Sequence, residues 1–206
     1  MNHLFIDTSN SYCSINLCIK DDLVFTKFWE SNNNHSEELY ANFIKVTKYL
    51  SQVDYVGVLT GPGGFNSIRI GISFAMSIIL SKNIKILGIP TYLVQAIEHI
   101  ESKKNITSVI NCGKNLTSWA KFKNGEIEPE MIGIEKVNSF EGNQFCGETK
   151  SITENPRNYK KILKTAEMII EKNGFNKPDE ILPIYSKKPS ISKPKEAYRI
   201  FEEKGE

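Results

Sequence analysis

The residues of this chain best equipped for chemistry fall into two short constellations in its first third. Asp7-Thr8-Ser9 follows the apolar run Leu4-Phe5-Ile6, while Gly61-Pro62-Gly63-Gly64 follows Tyr55-Val56-Gly57-Val58-Leu59 and opens an apolar segment that continues to Leu80. Hydroxyl and carboxylate side chains at the end of a strand can face a phosphate, with the Asp holding a metal-bound water. The same residues also make an Asx or Ser/Thr turn that only closes a hairpin. The glycine stretch reads as strand, turn and helix. Glycine supplies backbone angles that other residues resist, Pro62 fixes φ within the turn, and the free N–H groups at a helix N-terminus can receive an anion. No Lys follows the last glycine of the turn and the spacing is not GxGxxG, so a ligand-free connection is an equal reading. His35 precedes a helix, but a helical metal pair needs a second His at i+4, where the chain has Leu39; only His3 and His99 remain. A metal site is not expected, and no Ser/His/Asp arrangement is recognisable.

The frame that must position these groups is set by length and composition. At 206 residues the chain can build one large domain or two small ones, and a formal net charge of +2 steers it toward neither nucleic acid nor membrane. The N-terminus runs straight into a strand, which predicts a cytoplasmic protein without a signal peptide. Four cysteines without C-x-x-C spacing indicate neither a zinc site nor a disulfide framework.

Residues 3 to 30 read as a three-strand meander, with tight turns at Asp7–Ser11 and Lys20–Asp22. After the polar break Asn32-Asn33-Asn34, a helix is predicted from His35 to about Leu50, with Leu39, Phe43, Val46 and Leu50 on one face. In the helix after the glycine turn, no charged residue occurs from Ile70 to Ser81. Ile68, Ile72, Ala75 and Ile79 form one stripe, and Ile70, Phe74 and Ile78 a second, well rotated from it. A helix lying on one sheet needs one stripe, so the second demands a cover from this chain or from another protein. The uncharged run is too short to span a membrane. A strand to Gly88, Pro90 and a helix from about Thr91 to Ile100 follow, and the polar run 101–105 is the best boundary between domains at 1–103 and 104–206.

The second half restarts with the strand Ile106–Ile110 and a turn at Asn111–Asn115, then a strand to Phe122 and a Lys123-Asn124-Gly125 turn. Residues 126 to 156 look irregular with short strands near Ile132 and Phe145, a helix is predicted from Asn158 to Lys172, and the lysine-rich end reads as a solvated tail.

Strand, Asp-Thr-Ser turn, strand resembles the opening of an actin-like ATPase. Ile6-Asp7-Thr8-Ser9, His35-Ser36-Glu37, Gly61-Pro62-Gly63-Gly64-Phe65 with Arg69-Ile70-Gly71, Gly88-Ile89-Pro90 and Pro183-Ile184-Tyr185 together fall in the order and spacing of the TsaB (YeaZ-type) family of bacterial tRNA threonylcarbamoyladenosine synthesis. The resemblance is close over residues 4 to 100 and loose beyond. It implies an α/β, two-lobed, actin-like ATPase (ribonuclease-H-like) fold with the second lobe reduced. It also implies a non-catalytic, cytoplasmic subunit that docks TsaD, the threonylcarbamoyl transferase, as a heterodimer. TsaE joins in a ternary complex, tRNA is met through the complex, and ATP is used by the complex rather than required by this chain. Apart from the resemblance, an exposed apolar helix pair can also form a homodimer when TsaD is absent.

By the same resemblance, His35, Glu38, Phe65, Ile70, Phe74 and Ile78 belong to the partner interface. Asp7, Thr8 and Ser9 form a weak nucleotide site, and Gly61, Pro62, Gly63, Gly64, Arg69 and Gly71 form a structural turn. The second lobe departs from the family's Asp-Ala-Arg and Glu-Val-Tyr, having Asn111-Cys112-Gly113 and Leu116-Thr117-Ser118. Asn111 cannot act as a base and is a poorer magnesium ligand than a carboxylate. The competing reading is an ATPase or small-molecule kinase using Asp7-Thr8-Ser9, which would need an acidic partner in the second lobe. A peptidase is a third.

Overall fold

The computed structural model describes residues 1–31, 34–112, 116–136, 144–148 and 157–185. Its first sheet contains β1 (His3–Asp7), β2 (Tyr12–Ile19), β3 (Asp22–Glu30), β4 (Tyr55–Gly61) and β5 (Lys85–Pro90), in the order β3-β2-β1-β4-β5. β1, β2 and β3 are antiparallel, whereas β4 runs parallel to β1 and β5 parallel to β4. This is the strand order expected of an actin-like lobe. The second sheet contains β6 (Ile106–Asn111), β7 (Leu116–Phe122), β8 (Met131–Lys136) and β9 (Phe145–Gly147), in the order β8-β7-β6-β9, with β9 parallel to β6. It repeats the first sheet's pattern of meander plus parallel strand, one strand shorter among the described residues. Asp7 at the end of β1 therefore corresponds to Asn111 at the end of β6, and Gly61 to Gly147.

Alternation along each strand builds two cores. Leu4, Ile6, Val56 and Val58 face one way, toward Ile68, Ile72, Ala75 and Ile79 of α2 (Phe65–Lys82). Phe5, Tyr55 and Leu59 face the other way, into a core shared with α3 (Thr91–Glu101), the second sheet and α4 (Tyr159–Asn173). β1 is therefore buried along its whole length. Cys13 and Cys18 are buried free thiols.

The predicted helix from His35 to Leu50 is shorter than expected. α1 covers His35–Phe43, and a 3-10 helix continues over Ile44–Gln52. Ile44, Val46 and Thr47 are stiff at χ1 and poor in an α-helix, and the Thr47 hydroxyl donates to the Ile44 carbonyl at 2.8 Å. α4 starts where expected: Asn158 is its cap, the side-chain oxygen accepting from Lys161 N–H at 3.0 Å. Gly174, at φ +76°, ends it. After α4 the chain returns to the first sheet, where Asn176 N–H donates to the Ile86 carbonyl, its side-chain oxygen accepts from Gly88 N–H, and Ile181 enters the α2 core.

Candidate functional site

The two constellations are neighbours, joined backbone to backbone. Gly64 N–H donates to the Ser9 carbonyl at 2.7 Å, and the Thr8 hydroxyl donates to the Ser67 carbonyl at 2.7 Å. A Cβ at Gly63 would collide with the Ser9 carbonyl, and one at Gly71 with the Thr8 hydroxyl. Within this turn only Gly61, at φ +99°, needs glycine for its backbone angle. The other glycines are there for close approach. Arg69 is exposed and lies over the Phe65 ring, which in turn stacks on Tyr185 with centroids 4.5 Å apart.

Asp7, Thr8 and Ser9 are 2%, 1% and 0% exposed. Asp7 Oδ1 accepts from Ser9 N–H and from the Ser9 hydroxyl, at 2.9 and 2.7 Å. Its other oxygen is held by a residue that sequence reasoning missed. Arg157 Nη1 donates to Asp7 Oδ2 at 2.8 Å and to Ser9 Oγ at 2.7 Å. The second guanidinium nitrogen, Nη2, sits 2.7 Å from Glu148 Oε1. That approach lies off the N–H axis, so the contact is more Coulombic than hydrogen-bonded, and Nε has no acceptor among the described residues. Gln95 of α3 donates to Glu148 Oε1 at 2.6 Å and Asn10 to Oε2 at 3.3 Å.

Burial opposes the charge on Arg157, yet the facing carboxylates of Asp7 and Glu148 raise its pKa above the ordinary arginine value. An acidic group from the second sheet does therefore meet Asp7. It comes from the end of β9, beside Gly147, rather than from the Asn111 loop, whose residues 113–115 lie outside the described residues along with the lysine-rich tail 186–206. One signal was in the composition: Arg157 is one of only three arginines among 26 basic residues. An arginine fork suits two carboxylates where lysine would not.

The expected partner-interface residues divide. His35 is 9% exposed and its Nε2–H donates to the Asn10 carbonyl at 3.1 Å, so it anchors α1 to the turn between β1 and β2. Glu38 accepts from Trp29 Nε1 at 3.1 Å. Ile78 is 4% exposed and lies in the core cluster that also holds Leu39 of α1. Phe43 meets Phe74 edge-on with centroids 4.9 Å apart. What remains outward is different. Tyr40 (58% exposed), Ile44 (51%) and Leu80 (75%) face solvent, while Ile70 and Phe74 of α2 are half-buried.

Among the described residues, no cluster of three His, Cys, Asp or Glu side chains could hold a metal ion, and no helix is long and apolar enough to cross a membrane.

No family model matches the sequence. It is 29% identical over 147 residues to the tRNA threonylcarbamoyladenosine biosynthesis protein TsaB of Buchnera aphidicola from Schizaphis graminum, covering 65% of this chain and 70% of that protein. The TsaB of Buchnera aphidicola from Acyrthosiphon pisum is 27% identical over 125 residues, 58% of this chain and 56% of its own length. In structure, YeaZ from Pseudomonas aeruginosa superposes with a TM-score of 0.70 at 15% identity, covering 89% of this chain and 99% of that one. The fold is thereby that of YeaZ, and the chain is a homologue of the TsaB (YeaZ-type) proteins.

Proposed function

We propose that this chain serves tRNA threonylcarbamoyladenosine synthesis as a non-catalytic subunit that docks and activates TsaD, with TsaE and tRNA joining through the complex. The observation that carries the reading is the outward surface of α1, its 3-10 continuation and α2. Tyr40, Ile44 and Leu80 leave large apolar groups in water on the two helices that the family resemblance assigns to the partner. On the α2 side, the stretch from Ile70 to Ser81 carries no charge that would oppose an apolar partner helix. Size-exclusion chromatography with light scattering, on the chain alone and mixed with TsaD of the same organism, tests it. A new species at heterodimer mass is expected, and an unshifted mixture would overturn the reading.

An ATPase reading draws on one observation, that Asp7 faces the second-sheet carboxylate Glu148. The guanidinium of Arg157 fills the place between them where a metal-bound phosphate would have to sit, and the loop's hydroxyls are bonded internally. This supports a chain that does not turn over nucleotide. Steady ATP hydrolysis by the purified chain, lost in Asp7→Ala, would reverse that view.

A further inference from the structure

Two carboxylates that approach one another inside a protein need a positive charge between them, since neither water nor distance screens their repulsion. Asp7 and Glu148 are both 2% exposed and come from different sheets, 141 positions apart in the chain by their numbers. The charge between them is Arg157, whose side chain is 1% exposed and touches one carboxylate with each terminal nitrogen. The surroundings are built to hold a cation rather than merely to tolerate one. Ser9 Oγ accepts from the same nitrogen that reaches Asp7, while Gln95 and Asn10 donate to Glu148 and fix its orientation. The rest of the chain adds hold on both sides. Glu148 N–H donates to the Val109 carbonyl of β6 at 2.7 Å, and the Ser9 carbonyl accepts from Gly64.

We propose that Asp7, Ser9, Asn10, Gln95 and Glu148 form a buried site for a planar monovalent cation, filled by the chain's own Arg157 guanidinium, and that occupancy of this site joins the two sheets. The ligand class is a guanidinium-type cation. A planar fork reaches both carboxylates at once, a compact ammonium cannot, and a neutral isostere offers the hydrogen bonds without the charge. The site then works as an internal latch that does not depend on a nucleotide or a partner.

The test is chemical rescue of the full-length chain. Arg157→Ala leaves two buried carboxylates uncompensated and is expected to lower Tm by roughly 10 °C. Methylguanidinium at millimolar concentration should raise that Tm in a saturable way. Methylurea, which has the shape without the charge, and sodium chloride at the same ionic strength should not. The Asp7→Asn/Arg157→Ala variant should not respond to methylguanidinium. Equal response to methylguanidinium and methylurea, or none to either, would overturn the proposal.

Should Arg157→Ala fail to fold, Arg157→Lys supplies the second arm by hydrogen exchange. The amides of Gly64 and Glu148, one on each side of the latch, should both exchange faster than in the wild type and by similar factors. Acceleration on one side only, or on neither, would overturn the latch. None of these readouts involves TsaD, so failure here and failure to form the heterodimer are separate results.

Discussion

Ile78 and Leu80 stand two residues apart on α2, and replacing each by Asp should produce opposite phenotypes. Leu80 is 75% exposed, so its substitution changes the free chain little. Fully burying a leucine side chain is worth about 1.5–3 kcal/mol, and three-quarters of that remains available to a partner, about 1–2 kcal/mol. A carboxylate pressed into the same apolar contact adds a desolvation cost of several kcal/mol, as for any unpaired buried charge. Leu80→Asp should therefore fold normally and lose at least about 100-fold in affinity for TsaD, with Ile44→Asp behaving alike.

Ile78, at 4% exposed, belongs to the core beneath. Ile78→Asp loses about 2–5 kcal/mol of packing before the buried charge is counted, against a total stability of about 5–15 kcal/mol. It should leave the chain largely unfolded, so its failure to bind would say nothing about the interface. Urea denaturation of each variant, followed by calorimetric titration with TsaD, separates the two effects. A folded Leu80→Asp that binds TsaD like the wild type would refute the assignment of this surface. A fully stable Ile78→Asp would refute the packing argument.

Three further outcomes are expected. Replacing the whole latch with the neutral set Asp7→Asn/Arg157→Met/Glu148→Gln should recover most of the roughly 3–5 kcal/mol lost by Arg157→Ala alone, because the charges that needed compensation are gone; urea titrations of both variants measure it. Gly63→Ala should cost about 2–3 kcal/mol or more, since the new methyl meets the Ser9 carbonyl of a buried turn rather than a movable side chain, and thermal unfolding reports it.

The third concerns His3, buried between Met1 and Tyr159. The Met1 carbonyl can only accept, so Nδ1 carries the proton and Nε2 accepts from the Tyr159 hydroxyl at 2.9 Å. Burial lowers its pKa from the ordinary 6.5. The unfolded chain therefore binds the proton first, and the stability this group contributes is present above about pH 6.5 and lost as pH falls below it. Denaturation midpoints at pH 7.5 and 5.5 should differ in the wild type and differ less in His3→Gln.

Much of this architecture was legible in local pattern. The short apolar runs of β1 and β4, the glycine-punctuated turn and the Asn158 cap each act over a few residues, and α4 begins within one residue of its expected start. The second stripe of α2 was legible as a surface needing a cover, but not whose. Deciding that required the fold, in which Phe43 of α1 meets Phe74 and Ile78 is buried. The latch was illegible for a different reason. Asp7 is separated from Glu148 and Arg157 by most of the chain, and read alone it offered a phosphate-facing turn or a closed hairpin, not an ion pair. Glu148 was overlooked because the Asn111 loop, not the end of β9, was the place searched for an acid.

The return of residues 174–185 to the first sheet bears on how the protein is made. Ile181 is part of the α2 core, Asn176 borders β5, and Ile184 N–H donates to the Thr60 carbonyl just before the glycine turn. A ribosome emits β4, the glycine turn and α2 long before it emits these late residues. The nascent first sheet must wait with its β5 border and the mouth of α2 uncovered while the chain between β5, which ends at Pro90, and Asn176 is translated. Completion of the earliest part of the chain is thus deferred until well after its own translation.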